Sequence, residues 1–319
     1  MTIASSFKNK LYFCNHFSNL MKDTKEIHII DKLGVNAGKK IIILGGMHGN
    51  EINGVEAIEQ VLPRLKKLLD ETTGQIWFLK GNVPALEAGE RFLDKDLNRL
   101  WLNKHLQNQN PNIADYTALH ALHDLIVNDI CQGLFDNCIF LDLHTFSAKS
   151  GVFAIPAGNR KSLEFARSFG VPFIERLSES LPGTALQYLG QKGMTSVVFE
   201  GGTHQTPEAT RNLTAGIWHS LAYAGFLAEN LPEVVQSRQL LKDISKDLPH
   251  HLELTYRHKL DQYQNFKMQP GYYNFKPVQK SENLAIQNQQ VIESPSSGYM
   301  LMPLYQKKGS DGFFIVKEK

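Results

Sequence analysis

The feature that most constrains the fold is a short apolar segment that ends in two glycines and leads into a helix. Residues 40 to 44 are almost wholly apolar, which is typical of a strand buried at the centre of a sheet. Gly45 and Gly46 follow, and a helical pattern then runs through Val55, Ile58, Val61 and Leu65. A strand, a glycine-rich turn and a helix in this order place the residues of the turn at the carboxyl edge of a sheet.

Further apolar segments repeat this arrangement along the chain. The pattern predicts strands at residues 26–30, 75–79, 138–143 and 196–199, and helices at 114–130, 207–229 and 232–246. After about residue 249, short alternating segments broken by Pro and Gly predict a small all-β unit. We therefore expect an α/β fold with a central mixed sheet flanked by helices over residues 1–248, followed by a C-terminal β-domain over residues 249–319.

The composition limits the classes of binding partner and the compartment that we expect for this chain. The chain has 34 basic and 32 acidic residues, so its formal net charge of +2 gives no field that favours nucleic acid. No apolar run reaches the length of a membrane span, and residues 1–22 lack the continuous apolar stretch of a secretory signal. Three cysteines without metal-type spacing favour a reducing, cytoplasmic compartment. A homo-oligomer is compatible with the sequence.

Polar residues stand at the ends of the predicted strands. His48 and Glu51 lie in the glycine-rich turn, and His144 directly follows the strand at residues 138–143. Zinc in a hydrolytic site takes three protein ligands from His and carboxylate and leaves a position for water. An isolated His-x-x-Glu pair is common, but its place beside a buried strand predicts a zinc site formed by these three residues.

Two further segments offer catalytic groups. Glu200 follows the apolar run at residues 196–199, where a buried carboxylate beside a metal acts as a general base. The stretch from Arg91 to Arg99 supplies cationic and amide groups that bind a carboxylate and polarise a carbonyl, although a solvated loop fits it equally well. For His204 the sequence leaves a substrate contact open. The histidines spaced three apart at 120 and 123 favour a structural role, because no carboxylate or cysteine stands near them at ligand spacing.

Together these motifs resemble the succinylglutamate desuccinylase and aspartoacylase family of the zinc carboxypeptidase-like fold. The matching pieces occur in the family's order: residues 45–51, the Gly-Asn-Val-Pro-Ala at 81–85, residues 91–99, the Asp-Leu-His at 142–144 and the Phe-Glu-Gly-Gly at 199–202. The resemblance implies about one zinc ion per chain on His48, Glu51 and His144, with Glu200 activating water. It also implies that residues 1–248 form the catalytic domain and that residues 249–319 cap the active site.

The resemblance assigns roles to the segment from 91 to 99. Arg91 is expected to polarise the scissile carbonyl, while Asn98 and Arg99 are expected to bind the carboxylate of the substrate. One departure concerns specificity, because aspartoacylase-like enzymes carry an additional arginine before the base, where this chain has Leu-Gly-Gln-Lys-Gly at residues 189–193. Lys192 is the candidate substitute, but an ammonium is a point charge and not a bidentate fork.

The predicted function is zinc-dependent hydrolysis of an amide bond in a small N-acyl amino acid or related molecule. One alternative within the same chemistry is a zinc carboxypeptidase that acts on short peptides, since both substrates present a free carboxylate. Another alternative is a non-catalytic zinc-binding protein. The presence of Glu200 and Arg91 argues against the last, because a structural zinc site is usually closed by four protein ligands.

Overall fold

The structure is a computed structural model that describes residues 24–34, 38–69, 74–108, 113–260 and 265–319. Its described strands are β1 Ile29–Leu33, β2 Lys40–Gly45, β3 Gln75–Lys80, β4 Cys138–Phe146, β5 Phe153–Pro156, β6 Phe173–Glu175, β7 Thr195–Thr203, β8 His251–Lys259, β9 Phe266–Met268, β10 Pro277–Val278, β11 Asn283–Gln287, β12 Gln290–Glu293, β13 Gly298–Leu301 and β14 Asp311–Glu318. The described α-helices are α1 Asn53–Leu68, α2 Val83–Ala88, α3 Asn103–Leu106, α4 Ala114–Asp124, α5 Arg160–Ser168, α6 Leu177–Ser180, α7 Ala185–Gln191, α8 Pro207–Tyr223 and α9 Pro232–Ser245.

A single mixed sheet organises the described chain. Its strands lie in the order β1-β3-β2-β4-β7-β5-β6-β8-β14-β13-β10. The pairs β3/β2, β2/β4 and β4/β7 are parallel, so the carboxyl ends of these strands meet at one edge. The predicted α/β fold with a central mixed sheet flanked by helices is confirmed.

The C-terminal strands are divided between two sheets. Strand β8 pairs in parallel with β6, so β8, β14, β13 and β10 continue the central sheet. Strands β12, β11 and β9 form a separate antiparallel sheet of three strands. The predicted domain boundary after residue 248 stays a prediction, although residues 249–319 contain only β-strands and loops in their described part, as expected.

Helices cover both faces of the parallel strands because each strand is apolar on both sides. Ile41 and Ile43 point to one core cluster, with Ala57, Ile58, Val61 and Leu65 of α1 packed on them. Ile42 and Leu44 point to the other, which contains Leu119, Leu122 and Leu125. Each cluster is completely buried at these strand positions, which stabilises the sheet edge that bears the polar residues.

Close backbone contacts position the turn after β2. An added Cβ at Gly45 would lie 2.5 Å from the carbonyl carbon of Gly54, and one at Gly49 would lie 2.0 Å from the carbonyl oxygen of Ala85. Real Cβ atoms do not approach other atoms so closely, so both positions require glycine. These contacts place the start of α1 directly against the end of β2.

Three smaller observations complete the fold. Residues Leu125–Ile130 continue α4 as a π-helical segment, so the predicted helix at 114–130 changes its hydrogen bonding near its end. No helix among the described residues is long and apolar enough to cross a membrane. Cys131 and Cys138 are buried free thiols, whereas Cys14 lies outside the described residues.

Candidate active site and metal centre

The three predicted metal ligands lie together at the carboxyl edge of the sheet. His48 and Glu51 come from the turn between β2 and α1, and His144 comes from β4. All three side chains are buried, and one donor atom from each lies within 4.8 Å of the others. Two imidazoles and a carboxylate in this arrangement can hold a metal ion.

The orientation of both imidazoles fits a metal. The Nδ1 atom of His48 lies 2.8 Å from Glu51 Oε1, and the Nδ1 atom of His144 lies 3.0 Å from Glu51 Oε2. The opposite nitrogens contact other carboxylates: His48 Nε2 is 3.1 Å from Asp96 and His144 Nε2 is 3.0 Å from Asp142. Metal-binding histidines typically have such a carboxylate on the second nitrogen, which fixes the ring orientation and raises its basicity.

The charges of this group support cation binding. Burial opposes ionisation of Glu51, yet the positive charges of His48 and His144 hold its pKa well below the usual range. Burial likewise disfavours the charged form of His144, but Asp142 and Glu51 raise its pKa well above the usual range. The surrounding carboxylates therefore favour positive charge at this site, as binding of a cation would require.

Glu200 faces the same group from the neighbouring strand. It lies on β7 directly opposite His144 in the parallel β4/β7 register. Its Oε2 atom is buried and has no hydrogen-bond partner among the described residues. Burial raises the pKa of Glu200 to about 8, with the attraction of His144 and Arg91 opposing the shift and the repulsion of Glu51 adding to it. A carboxyl group in this environment can exchange protons near neutral pH.

The segment that carries Arg91 is an ordered loop. The buried Asp115 carboxylate accepts hydrogen bonds from the backbone N–H groups of Asp94 and Lys95, both at 2.8 Å. Arg91 Nη1 donates to Glu51 at 3.2 Å, and its Nη2 lies 3.5 Å from Asp96. The Nε atom of Arg91 is buried without a partner in the described part of the chain. Arg91 is therefore held by protein contacts, whereas residues 93–95 are exposed, so a solvated loop describes only the middle of the segment.

Asn98 and Arg99 lie in a 3₁₀ turn over Leu97–Arg99. The amide oxygen of Asn98 accepts a hydrogen bond from Ala185 N at 3.0 Å, which fixes the side chain. Arg99 Nη2 donates to Asp311 at 3.0 Å, and Arg99 Nη1 donates to the Asn98 carbonyl at 2.8 Å. Both side chains line the same cleft as His48, Glu51 and His144, and Arg99 already has an acidic neighbour from β14.

These residues line one cleft, whose interior has about 110 Å³ of space for water-sized molecules. The loop between β13 and β14 forms one side of it, with Met302, Pro303, Leu304 and Gln306 among the lining residues. Asn50, next to the metal-binding turn, donates to Gln306 at 3.0 Å, and Lys308 donates to the Phe92 carbonyl at 3.0 Å. C-terminal residues therefore line one side of the cleft and contact the loops that carry His48 and Arg91.

The other residues considered from the sequence lie outside the lining of the cleft. Lys192 does not line the cleft; its ammonium lies over the ring of Tyr188, 5.0 Å from the centroid, so it is not placed to replace the missing arginine. His123 Nε2 lies 2.8 Å from the Tyr188 hydroxyl, and His120 Nε2 lies 2.7 Å from the Asn108 carbonyl, which fits structural roles. His204 Nδ1 contacts the Thr145 hydroxyl at 2.7 Å, beside the cleft and not in its lining.

Three site carboxylates were not singled out from the sequence. Asp142 precedes His144 by two residues on a strand, so both lie on one face, and this spacing was a usable signal. Asp96 lies within the segment from Arg91 to Arg99, and its pKa is lowered because His48 and Arg91 outweigh the effect of burial. Asp311 comes from a distant strand, and no local pattern indicates its position.

Comparison with known proteins identifies the family that this chain matches. Residues 37–215 match the sequence model of the succinylglutamate desuccinylase/aspartoacylase catalytic domain. A probable aspartoacylase of Nostoc is 29% identical over 126 residues, which cover 40% of this chain and 41% of that protein. An N-alpha-acetyl-L-2,4-diaminobutyric acid deacetylase of Halomonas elongata is 28% identical over 215 residues, or 65% of this chain and 60% of the relative. The chain thus spans about half the length of these two relatives.

Solved structures show the same architecture. A crystal structure of a succinylglutamate desuccinylase/aspartoacylase from Rhodobacter sphaeroides has a TM-score of 0.66. The alignment covers 90% of this chain and 87% of that one, at 18% sequence identity. At this identity the likeness establishes the fold.

Proposed function

Because the chain belongs to the succinylglutamate desuccinylase/aspartoacylase family, we propose that it is a zinc-dependent hydrolase of the amide bond in a small N-acyl amino acid. The relatives named above are deacylases of amino-acid derivatives by their names, which supports this reaction class. The observation that carries the proposal is the buried group of His48, Glu51 and His144, which opens on a cleft that also contains the unpartnered Oε2 of Glu200.

Zinc is the proposed metal, at about one ion per chain. Imidazole and carboxylate ligands suit zinc, and two histidines with one glutamate form a common catalytic set. The carboxylates of Asp96 and Asp142 lie 3.1 and 3.0 Å from the outer nitrogens of His48 and His144, so each imidazole faces a carboxylate on the side away from Glu51. When bound, zinc supplies Lewis-acid chemistry, which polarises an amide carbonyl and makes water a stronger nucleophile.

The side chains of the cleft have separate roles in the proposed reaction. Glu200 takes a proton from the attacking water at Oε2 and then delivers it to the leaving nitrogen, so the amide bond breaks to a carboxylate and a free amine. Arg91, whose Nε is buried without a described partner, donates to the carbonyl oxygen as negative charge develops there. Asn98 and Arg99 bind the carboxylate of the substrate and orient its amide bond toward Glu200.

A small amide suits the cleft better than a peptide does. The loop at residues 302–310 lines the cleft and is tied to the catalytic edge through Asn50 and Phe92. This enclosure limits the room for a chain that extends beyond the scissile bond, so peptide cleavage stays the alternative. A cytoplasmic location and a homo-oligomer also stay predictions.

The test combines metal analysis with an assay of amine release. We expect purified protein to contain about one zinc per chain and to release amine from at least one member of a panel of N-acyl amino acids. A panel of dipeptides serves as the matched comparison. Hydrolysis of dipeptides alone would establish the peptidase alternative, and bound zinc without hydrolysis of either panel would establish a non-catalytic zinc protein.

A further inference from the structure

One side of the cleft is an apolar wall. Six of its lining side chains belong to a single buried cluster, namely Phe146, Ile155, Leu181, Leu186, Val198 and Phe314. They come from strands β4, β5, β7 and β14, from the residue after α6 and from α7. Because the six residues pack in one cluster, the wall is a continuous surface and not a set of scattered apolar contacts.

The wall begins beside the proposed base. Val198 and Glu200 are two residues apart on β7, so their side chains lie on the same face of the strand. Both line the cleft, and Val198 lies opposite Ile155 in the β5/β7 pair. A substrate whose amide is within reach of Glu200 therefore places a neighbouring group against Val198 and Ile155.

The two basic side chains of the cleft are each already paired with a carboxylate of the protein. The arginine and lysine side chains that line it, among the described residues, are Arg91 and Arg99. Arg91 contacts Glu51, and Arg99 contacts Asp311. Asp311 is also held by Arg257 Nε at 2.6 Å, and its side chain is only 9% exposed, so it stays beside Arg99.

This charge arrangement disfavours an acidic side chain on the substrate. A first carboxylate can bind Arg99 through the Nε that is buried without a described partner. A second carboxylate would find no further arginine or lysine in the described lining and would lie against Asp311 or the apolar wall, and a buried charge without a partner is costly. Lys192 lies outside the cleft lining and cannot neutralise it.

We propose that the substrate carries a single carboxylate and an apolar group that packs on this wall. The inference rests on the proposed function for its reaction, and it specifies the substrate class. The apolar group is either the side chain of the amino acid or a longer acyl chain, since each lies next to the scissile amide. An N-acyl derivative of an acidic amino acid is excluded by the same contacts.

Kinetics on five compounds test the inference. The probes are N-acetylglycine as the reference, N-acetylleucine for the side chain, N-hexanoylglycine for the acyl chain, and N-acetylaspartate and N-succinylglutamate as the acidic comparisons. We expect kcat/KM for N-acetylleucine or N-hexanoylglycine to exceed that of N-acetylglycine by about tenfold or more, as apolar pockets typically discriminate. We expect both acidic compounds to fall below that apolar substrate by at least about tenfold. Equal or better use of an acidic compound would overturn the inference while leaving the hydrolase proposal intact.

A pair of variants checks that the wall is responsible. Val198→Thr keeps the shape of the side chain but adds a hydroxyl to the wall, whereas Val197→Thr makes the same change on the opposite face, in another core cluster. We expect Val198→Thr to lower the ratio of kcat/KM between the preferred apolar substrate and N-acetylglycine about fivefold, and Val197→Thr to leave this ratio unchanged. An equal ratio in both variants would show that the wall does not select the substrate.

Binding provides a readout that does not depend on turnover. Calorimetry with zinc-loaded Glu200→Gln protein compares the Kd of the two apolar probes with that of N-acetylaspartate. We expect tighter binding of at least one apolar probe, by about tenfold, with the negative heat-capacity change of apolar burial. If the native enzyme hydrolyses no probe but this preference is present, the proposed hydrolysis fails, whereas the preference of the cleft for a ligand with one carboxylate and an apolar group is retained. Tighter binding of N-acetylaspartate than of both apolar probes would overturn the inference.

Discussion

Two buried groups around histidine, the cleft cluster around His144 and the far cluster around His219 on α8, differ in the charge of their partners. His144 in the cleft contacts the carboxylates of Glu51 and Asp142. His219 on α8 contacts the Ser168 hydroxyl at 2.9 Å and the Arg238 guanidinium at 3.2 Å. Burial is similar, but carboxylates surround the first imidazole and a cation faces the second.

The pKa values of the two histidines move in opposite directions as a result. Asp142 and Glu51 overcome burial and raise the pKa of His144, whereas burial, reinforced by Arg238, lowers the pKa of His219 to about 4. Arg238 donates to His219 Nδ1, so the proton of the neutral ring lies on Nε2 and points at Ser168. His219 therefore cannot take a proton from Ser168, and the pair resembles a nucleophile and base only in its distance. The comparison shows that partner charge, and not proximity, separates a cation-binding group from a structural one.

The largest expected effect comes from removing an imidazole of the cleft cluster. His144→Ala should lose most of the bound zinc and lower kcat/KM about 1000-fold or more, because the metal's contribution of several kcal/mol disappears. Metal analysis after dialysis against low free zinc, together with the amine-release assay, measures both. His219→Gln is the matched control and should retain full zinc. Full zinc occupancy in His144→Ala would contradict the assignment of this residue as a ligand.

A smaller effect is expected at the proposed base. Glu200→Gln preserves the shape of the side chain but removes its proton acceptor, so kcat should fall about 100-fold while zinc content and fold are unchanged. Steady-state kinetics and circular dichroism provide the measurement and its control. Turnover close to that of the native enzyme would mean that another group carries the proton.

Substitutions at the two arginines of the cleft should affect different kinetic constants. Arg99→Lys should raise KM about tenfold with a smaller change in kcat, because it weakens carboxylate binding shared by ground and transition states. Arg91→Ala should instead lower kcat more than it raises KM, because its contact with the carbonyl strengthens as charge develops. The carboxamide analogue of the preferred substrate is the control. If the native enzyme hydrolyses it as well as the free acid, no carboxylate is bound by Arg99.

The smallest effect on activity, and a distinct effect on stability, is expected at the far cluster. The folded-state pKa of His219 lies below its unfolded value of about 6.5, so its contribution to stability is present above pH 6.5 and is lost as the pH falls toward 4. Between pH 7 and pH 5 this loss amounts to about 2 kcal/mol in the free energy of unfolding. Urea titrations should show that His219→Gln loses about that much less than the native protein over this interval, with normal activity at pH 7. An identical pH dependence in both proteins would contradict the buried neutral imidazole.

The parts of the site that could be predicted from the sequence are those determined by local pattern. Apolar runs that end in His, Glu or Gly indicate residues at a sheet edge, and His48, Glu51, His144 and Glu200 do meet there. Strand bounds were less accurate, since β4 reaches Phe146 and β7 reaches Thr203, beyond the apolar cores that indicate them. Pairing with neighbouring strands extends an element past its apolar residues.

The parts that could not be predicted depend on distant pairing. The contact between Arg99 and Asp311 joins residues 212 positions apart, and it exists because β8 pairs with β6 and brings β14 alongside. Strand β5 and helix α5 were also not predicted from the sequence, although β5 supplies Ile155 to the apolar wall. The residues proposed for catalysis therefore follow from local motifs, whereas the residues proposed to select the substrate are assembled by tertiary structure.

The glycine contacts behind the metal-binding turn have a consequence for how mutational data on this protein should be interpreted. Alanine at position 45 or 49 would collide with backbone atoms of Gly54 or Ala85 and push the turn away from β4. In a saturation scan scored by growth or activity, these positions would therefore be as intolerant as His48, although neither offers an atom to a metal or substrate. Intolerance to substitution is thus a poor guide to chemistry at this edge, and separating the two kinds of position requires metal content to be measured for each variant.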